Sequence, residues 1–197
     1  MQRLASGFIV REMLQPFAVM LSPYDPAWPV TASKLGLQLQ VLGANLLTVE
    51  HIGSTAVPGL AAKPIIDVMP LVADLALLDE ERRRVEDLSY VWHGELGIAG
   101  RRYCTLQDER GTRLAQLHFF EAGSAHAMRH IAFRDYLRAH PHIADAYAQE
   151  KRRAHQLHPD NSHAYGDEKS AWVQAMERHA IAWFSAREQT GQSSIGP

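Results

Sequence analysis

The sequence predicts an α+β domain on three observations. Short β-branched runs and amphipathic stretches mix in the first half, and the second half takes on a helical texture beyond Gly123. At 46% hydrophobic and 21% charged over 197 residues, the composition supports one packed core.

Ser22-Pro23-Tyr24-Asp25-Pro26 reads as a turn into a helix, with Asp25 as cap and Pro26 at the first helical position. Trp28, Leu35, Leu39 and Leu42 share a face of that helix, and Gly43 stops it. Leu46–His51 is a strand ending before Gly53, and Ile65–Val72 is the next strand. Asp74–Leu88 is expected as a helix on the spacing of Leu75, Leu78, Val85 and Leu88, with Glu80–Arg84 on its solvated face. Tyr90–Trp92, Tyr103–Gln107 and Leu114–Phe120 are strands, the last two joined by a hairpin across Asp108–Thr112. Three helices follow, near His126–Ala139, His142–Leu157 and Asp167–Ala186, separated by Pro141 and by a loop over Pro159–Tyr165. The expected organisation is an N-terminal extension 1–21, one domain 22–188 and a frayed tail 189–197.

A net charge of -2 and a pI near 6.6 give no global case for nucleic acid or an anionic membrane, so any anion site is local. Cys104 alone forms no internal disulfide and fits a reducing, cytoplasmic setting. Arg11 and Glu12 interrupt the apolar N-terminus, and no run approaches the roughly 20 apolar residues of a membrane span.

Chemistry concentrates in Glu50–Leu71, EHIGSTAVPGLAAKPIIDVMPL. A Gly53-Ser54 pair leaving a strand offers backbone N–H groups and a hydroxyl to an anion. Asp67 lies on the next, apolar strand, where an unpaired carboxylate costs several kcal/mol. It therefore needs a cation, either a divalent metal or a basic group such as Lys63 or an arginine. Its alternating neighbours Ile65 and Met69 cannot bind a hard cation, which is the chemical objection to a magnesium site. His118 can approach Asp67 across the sheet, although imidazole suits softer metals and a satisfied core histidine is the plainer reading.

Arg101-Arg102 follow the glycine-bounded loop Gly94–Gly100, which can carry a guanidinium onto a phosphate. Arg134 and Arg138 share a helix face, with Asp135 as a structural partner. His126 and His130 sit one turn apart without the HExxH glutamate of a zinc protease. No G-x-S-x-G elbow, P-loop or dinucleotide-binding glycine pattern occurs.

The segments HIGSTAVPGLAAKPIIDV, GELGIAGRRY, RHIAFRDYLRAHP and AYAQEKRRA, with the late Tyr165, Lys169 and Trp172, together resemble the GrpB-like family from Pro23 to Trp183. The resemblance implies a branch of the nucleotidyltransferase superfamily with a polymerase-beta-like α+β core, a mixed sheet flanked by helices, and a C-terminal helical segment. It maps Gly53, Ser54 and Asp67 onto the superfamily's Gly-Ser and Asp-x-Asp positions. One aspartate of that pair is present: Asp67 stands either for the first, with Met69 replacing the second, or for the second, with Ile65 replacing the first. The third superfamily carboxylate falls near His118, and Gln116 departs from the family's common His-Leu-His.

The resemblance also draws Lys63, Arg101, Arg102, Arg134 and Asp135 into one pocket. The expectation is a nucleotide or other phosphorylated small molecule with its phosphates on Gly53 and Ser54 and Mg²⁺ or Mn²⁺ on Asp67. Asp67 and Lys63 would be the catalytic groups of a nucleotidyltransferase with an unspecified acceptor, and Arg102 and Arg134 would neutralise charge. Relatives fused behind dephospho-CoA kinase imply the alternative, a folding or assembly partner without catalysis. Nucleic acid and membrane are not expected as partners.

Overall fold

The structure, a computed structural model, describes residues 14–193. After the capped turn at Asp25, helix α1 spans Ala27–Gln38, and a tight 3-10 segment Leu39–Asn45 carries the chain through Gly43 into strand β1, Leu46–Ile52. Strand β2 is Ile66–Val72; α2, Leu75–Glu80, and α3, Arg82–Glu86, follow it. Then come β3, Val91–Trp92, β4, Arg102–Gln107, and β5, Arg113–Glu121. The remainder is helical: α4, Ala125–Ala139; α5, Pro141–Leu157; α6, Ser162–Glu168; and α7, Ser170–Ser193.

The five strands form one mixed sheet in the order β1-β2-β5-β4-β3. Only β2 and β5 run parallel; the other pairings are antiparallel. The sheet is flanked by helices with a helical C-terminal segment, so the α+β class read from the sequence is the fold observed.

Both faces of β2 are covered, which is why its sequence is a continuous apolar run broken only by Asp67. On one face, Val68, Val72, Leu117 and Phe119 pack with Trp28, Leu35, Leu39 and Leu78 in the main core. On the other, Met69, Leu71 and Phe120 pack under Ala127 of α4. Asp67 shares that second face, as do Gln116 and His118 of β5, so the C-terminal helices roof the polar end of the sheet.

Several elements differ from expectation. The single helix expected over Asp74–Leu88 is two short ones, broken at Glu81, and Asp74 caps the first by accepting from the N–H groups of Ala76 and Leu77. The expected loop over Pro159–Tyr165 contains the start of α6, capped by Asn161. Helix α7 runs through Ser193, into the predicted tail; residues 194–197 lie outside the described residues.

Of the predicted extension, residues 1–13 also lie outside the described residues. Phe17 and Ser162 are tied reciprocally: the Phe17 N–H donates to Ser162 Oγ at 3.2 Å and the Ser162 N–H to the Phe17 carbonyl at 3.0 Å. Val19 and Leu21 pack with Ala154 and Tyr165, which fixes this stretch against the C-terminal helices. Among the described residues no helix is long and apolar enough to cross a membrane.

Candidate functional site

Strand β1 ends at Gly53, whose φ of +72° and ψ of -170° are accessible essentially to glycine alone. A Cβ placed there would lie 2.5 Å from Asp67 Oδ2, so the glycine also permits the turn to pass against the carboxylate. The chain then makes one 3-10 turn, Ser54–Ala56, closed by the Ala56 N–H on the Gly53 carbonyl and the Val57 N–H on the Ser54 carbonyl.

Side chains from elsewhere hold this turn in place. Thr55 Oγ1 and His51 Nε2 are 2.9 Å apart, and burial lowers the His51 pKa to about 4, leaving the imidazole neutral at physiological pH. From α4, Arg134 Nη1 donates to the His51 carbonyl at 3.1 Å, and Arg138 Nε donates to the Ala56 carbonyl at 2.9 Å. The two guanidinium groups grip the backbone on either side of Gly53-Ser54-Thr55.

Asp67 sits on β2 opposite Ile52 and beside Gln116. His118 Nε2 lies 3.3 Å from Asp67 Oδ1, and His118 Nδ1 is buried with no hydrogen-bond partner among the described residues. Above the carboxylate opens a cavity of about 320 Å³ lined by Gly53, Ser54, Lys63 and Asp67 on the sheet side. Arg129, Lys151, Lys169 and Glu177 line it from the helices.

Cations dominate the cavity. Lys63 lies 5.5 Å from the centre of the Tyr165 ring, Lys169 lies 5.6 Å from the same ring, and Lys151 lies 4.7 Å from that of Tyr147. Lys151 is 2% exposed and donates to the Ala61 carbonyl. Burial brings its pKa down to about 7, and Lys169 and Arg152 repel it further. Burial likewise brings Lys63 to about 8; Asp67 opposes that shift, while Lys169 and Arg113 add to it.

Among the described residues, none of Lys63, Lys151 and Lys169 has a carboxylate at salt-bridge distance. Arg129 is different, being ion-paired with Glu177.

The structure gathers Gly53, Ser54, Lys63 and Asp67 in this cavity and sets His118 against Asp67. The other predicted residues lie elsewhere. Arg102 pairs with Phe119 across the sheet, on the main-core face, and both its forks engage Asp79 at 2.6 and 2.5 Å. Arg101 is buried and donates to the carbonyls of Glu95 and Leu96, holding the glycine-bounded loop shut. Arg134 spends its guanidinium on Glu50, Asp135 and the His51 carbonyl, supporting the turn from behind. Asp135 is the structural partner read from the sequence.

Sequence reasoning missed Lys151, Lys169 and Arg129 as site residues. One signal was available: Tyr147, Lys151 and Ala154 fall at i, i+4 and i+7, and all three are buried, so Lys151 lies on the inward stripe of α5.

A divalent ion fits this donor set poorly. Asp67 offers one carboxylate, already beside His118, and its face neighbours are Ile65 and Met69. Among the described residues no three of His, Cys, Asp and Glu converge to hold a metal.

Residues 18–179 match the family model described as GrpB protein. The chain is 37% identical over 155 residues to UPF0157 protein YqkA of Bacillus subtilis (strain 168), a match covering 79% of this chain and 45% of that protein. This chain therefore spans under half the length of YqkA. It is also 37% identical over 167 residues to UPF0157 protein BH1888 of Halalkalibacterium halodurans, covering 84% of each. Among solved structures, conserved protein GrpB from Enterococcus faecalis superposes with a TM-score of 0.79 at 36% identity, over 84% of this chain and 99% of that one. On the extent of the family match and the agreement in fold, the chain belongs to the GrpB protein family.

Proposed function

We propose that this protein binds a phosphorylated small molecule of the nucleotide class in the cavity above Asp67. The observation that carries the reading is the convergence of Lys63, Lys151 and Lys169 on one cavity beside the Gly53-Ser54 turn. Among the described residues none of the three amines has a carboxylate at salt-bridge distance, and burial and the charge of Lys169 disfavour the charged forms of Lys63 and Lys151, a cost that a bound anion relieves. Ser54 adds a hydroxyl, and the tight turn presents backbone close to the ligand.

Transfer chemistry is the weaker part of the reading, because Asp67 lacks a second carboxylate on its strand face. Mg²⁺ or Mn²⁺ would therefore reach the cavity only as part of the ligand's phosphate complex.

The test is thermal denaturation of the wild-type chain with orthophosphate, pyrophosphate and the four nucleoside triphosphates, each with and without Mg²⁺. A ligand at about 100 times its Kd adds about 2.7 kcal/mol. For a chain of this size that is a Tm rise of roughly 5–11 °C. No shift with any phosphate compound sinks the proposal.

A further inference from the structure

A second cavity of about 390 Å³ adjoins the first, with Lys63 and Gln116 lining both. Its other walls include Phe17, Leu96, Tyr103 and Arg113. Resting on the phosphate-binding reading above, we propose that this second cavity is a separate anion subsite built on Arg113. The ligand is then one that carries two phosphoryl groups or a phosphate chain, spanning both cavities past Lys63.

Strand geometry aims Arg113 there. Pairing between β4 and β5 steps from Leu106↔Ala115 to Gln107↔Arg113, so β5 carries one extra residue at Leu114. Without that bulge, simple alternation would put Arg113 on the face of Ala115 and Leu117, in the main core. With it, Arg113 turns to the face of Gln116 and enters the cavity, as bulges re-aim side chains beside functional sites.

An aromatic ring holds the guanidinium. It lies 5.1 Å from the centre of the Phe17 ring, and Lys63 lies at the same distance from that ring. Among the described residues Arg113 has no carboxylate at salt-bridge distance, and its Nε is buried with no hydrogen-bond partner. A buried donor without an acceptor is costly, and Arg102 shows the contrast, with both forks satisfied by Asp79. The planar fork matches phosphoryl oxygens in two parallel hydrogen bonds.

The experiment is isothermal titration of the full chain with methylphosphonate, tripolyphosphate and alkylene bisphosphonates of methylene, propylene and pentylene spacing. Linking two groups makes the second contact intramolecular, so the best spanning probe should bind at least about tenfold more tightly than methylphosphonate. Arg113→Gln should abolish that advantage while leaving methylphosphonate affinity unchanged. Arg113→Lys, which keeps charge and stem but loses the fork, supplies the same comparison if the Gln variant does not fold.

A preference for tripolyphosphate locates the two groups on one chain; a preference for a spaced bisphosphonate locates them apart. An advantage that survives both substitutions overturns the subsite, as does an equal weakening of all probes. If methylphosphonate binds and no double-anion probe binds more tightly, the subsite fails and the first cavity stands. If nothing binds, both fall.

Discussion

Gly53→Ala is the perturbation whose cost can be worked most directly from the geometry. The residue's φ of +72° with ψ of -170° lies where a non-glycine residue costs about 1–3 kcal/mol. The new methyl would also stand 2.5 Å from Asp67 Oδ2 and 3.1 Å from its Cβ and Cγ. Moving a carboxylate that neighbours both His118 and the lysine cavity is an overpacking strain of about 1–3 kcal/mol. The sum, about 2–6 kcal/mol, lowers Tm by roughly 4–24 °C at the 2–4 °C per kcal/mol typical of this size. Urea denaturation of wild type, Gly53→Ala, Asp67→Ala and the double variant separates the two parts. The double variant removes the oxygen but not the backbone strain, so the pair should couple by about 1–3 kcal/mol. A Gly53→Ala protein within about 0.5 kcal/mol of wild type, or strictly additive substitutions, would refute the reasoning.

Lys151→Met should abolish the stabilisation by phosphate compounds yet leave the apo Tm at or above wild type, because it removes a buried unpaired charge; a loss of more than about 1 kcal/mol contradicts this. Lys63 and Lys151 have folded-state pKa values of about 8 and 7 against an ordinary 10.5, so the unfolded chain binds more protons from pH 7 to 10.5. Apo stability should therefore rise with pH across that window, by up to about 1.4 kcal/mol per pH unit for each lysine, while affinity for sulfate falls. Flat denaturation and titration profiles would contradict it. Arg138→Ala frees the Ala56 carbonyl and loosens the turn, so it should weaken phosphate binding about tenfold. Arg102→Ala, on the opposite face, should leave affinity unchanged in the same calorimetric assay.

The parts of the site legible in the sequence are those that one short segment supplies. Gly53, Ser54, Lys63 and Asp67 fall within fifteen residues across one strand-to-strand connection, so local pattern and chemistry sufficed. Arg102 shows where local reading fails. Its neighbour Arg101 and its own strand gave no sign of which face it takes, and the pairing with Phe119 decides that. Lys151 and Lys169 reach the cavity only through the packing of α5 and α6 against Val57, Leu60, Val19 and Leu21, which are contacts of long sequence separation. Lys151 also sits in the charged run Glu150–Arg153, yet the Tyr147–Lys151–Ala154 stripe is buried. The break at Glu81 had no glycine or proline to announce it.

The lone carboxylate is best understood from its two face neighbours. Met69 is fully buried among Ile52, Leu71, Phe120 and Ala127, beneath α4 and away from the cavity. A second aspartate there would be a desolvated charge in an apolar cluster, which costs several kcal/mol without a partner. Ile65, in contrast, lines the cavity beside Asp67. Of these two neighbours, only Ile65 stands where a second carboxylate would face the cavity together with Asp67. Isoleucine there contributes no donor to a metal, and as an apolar part of the wall it lowers the polarity of the cavity the lysines share, which strengthens their attraction for an anion. The side chain that gives a metal nothing therefore leaves Lys63, Lys151 and Lys169 as the groups that set the cavity's preference, and that preference is for an anion.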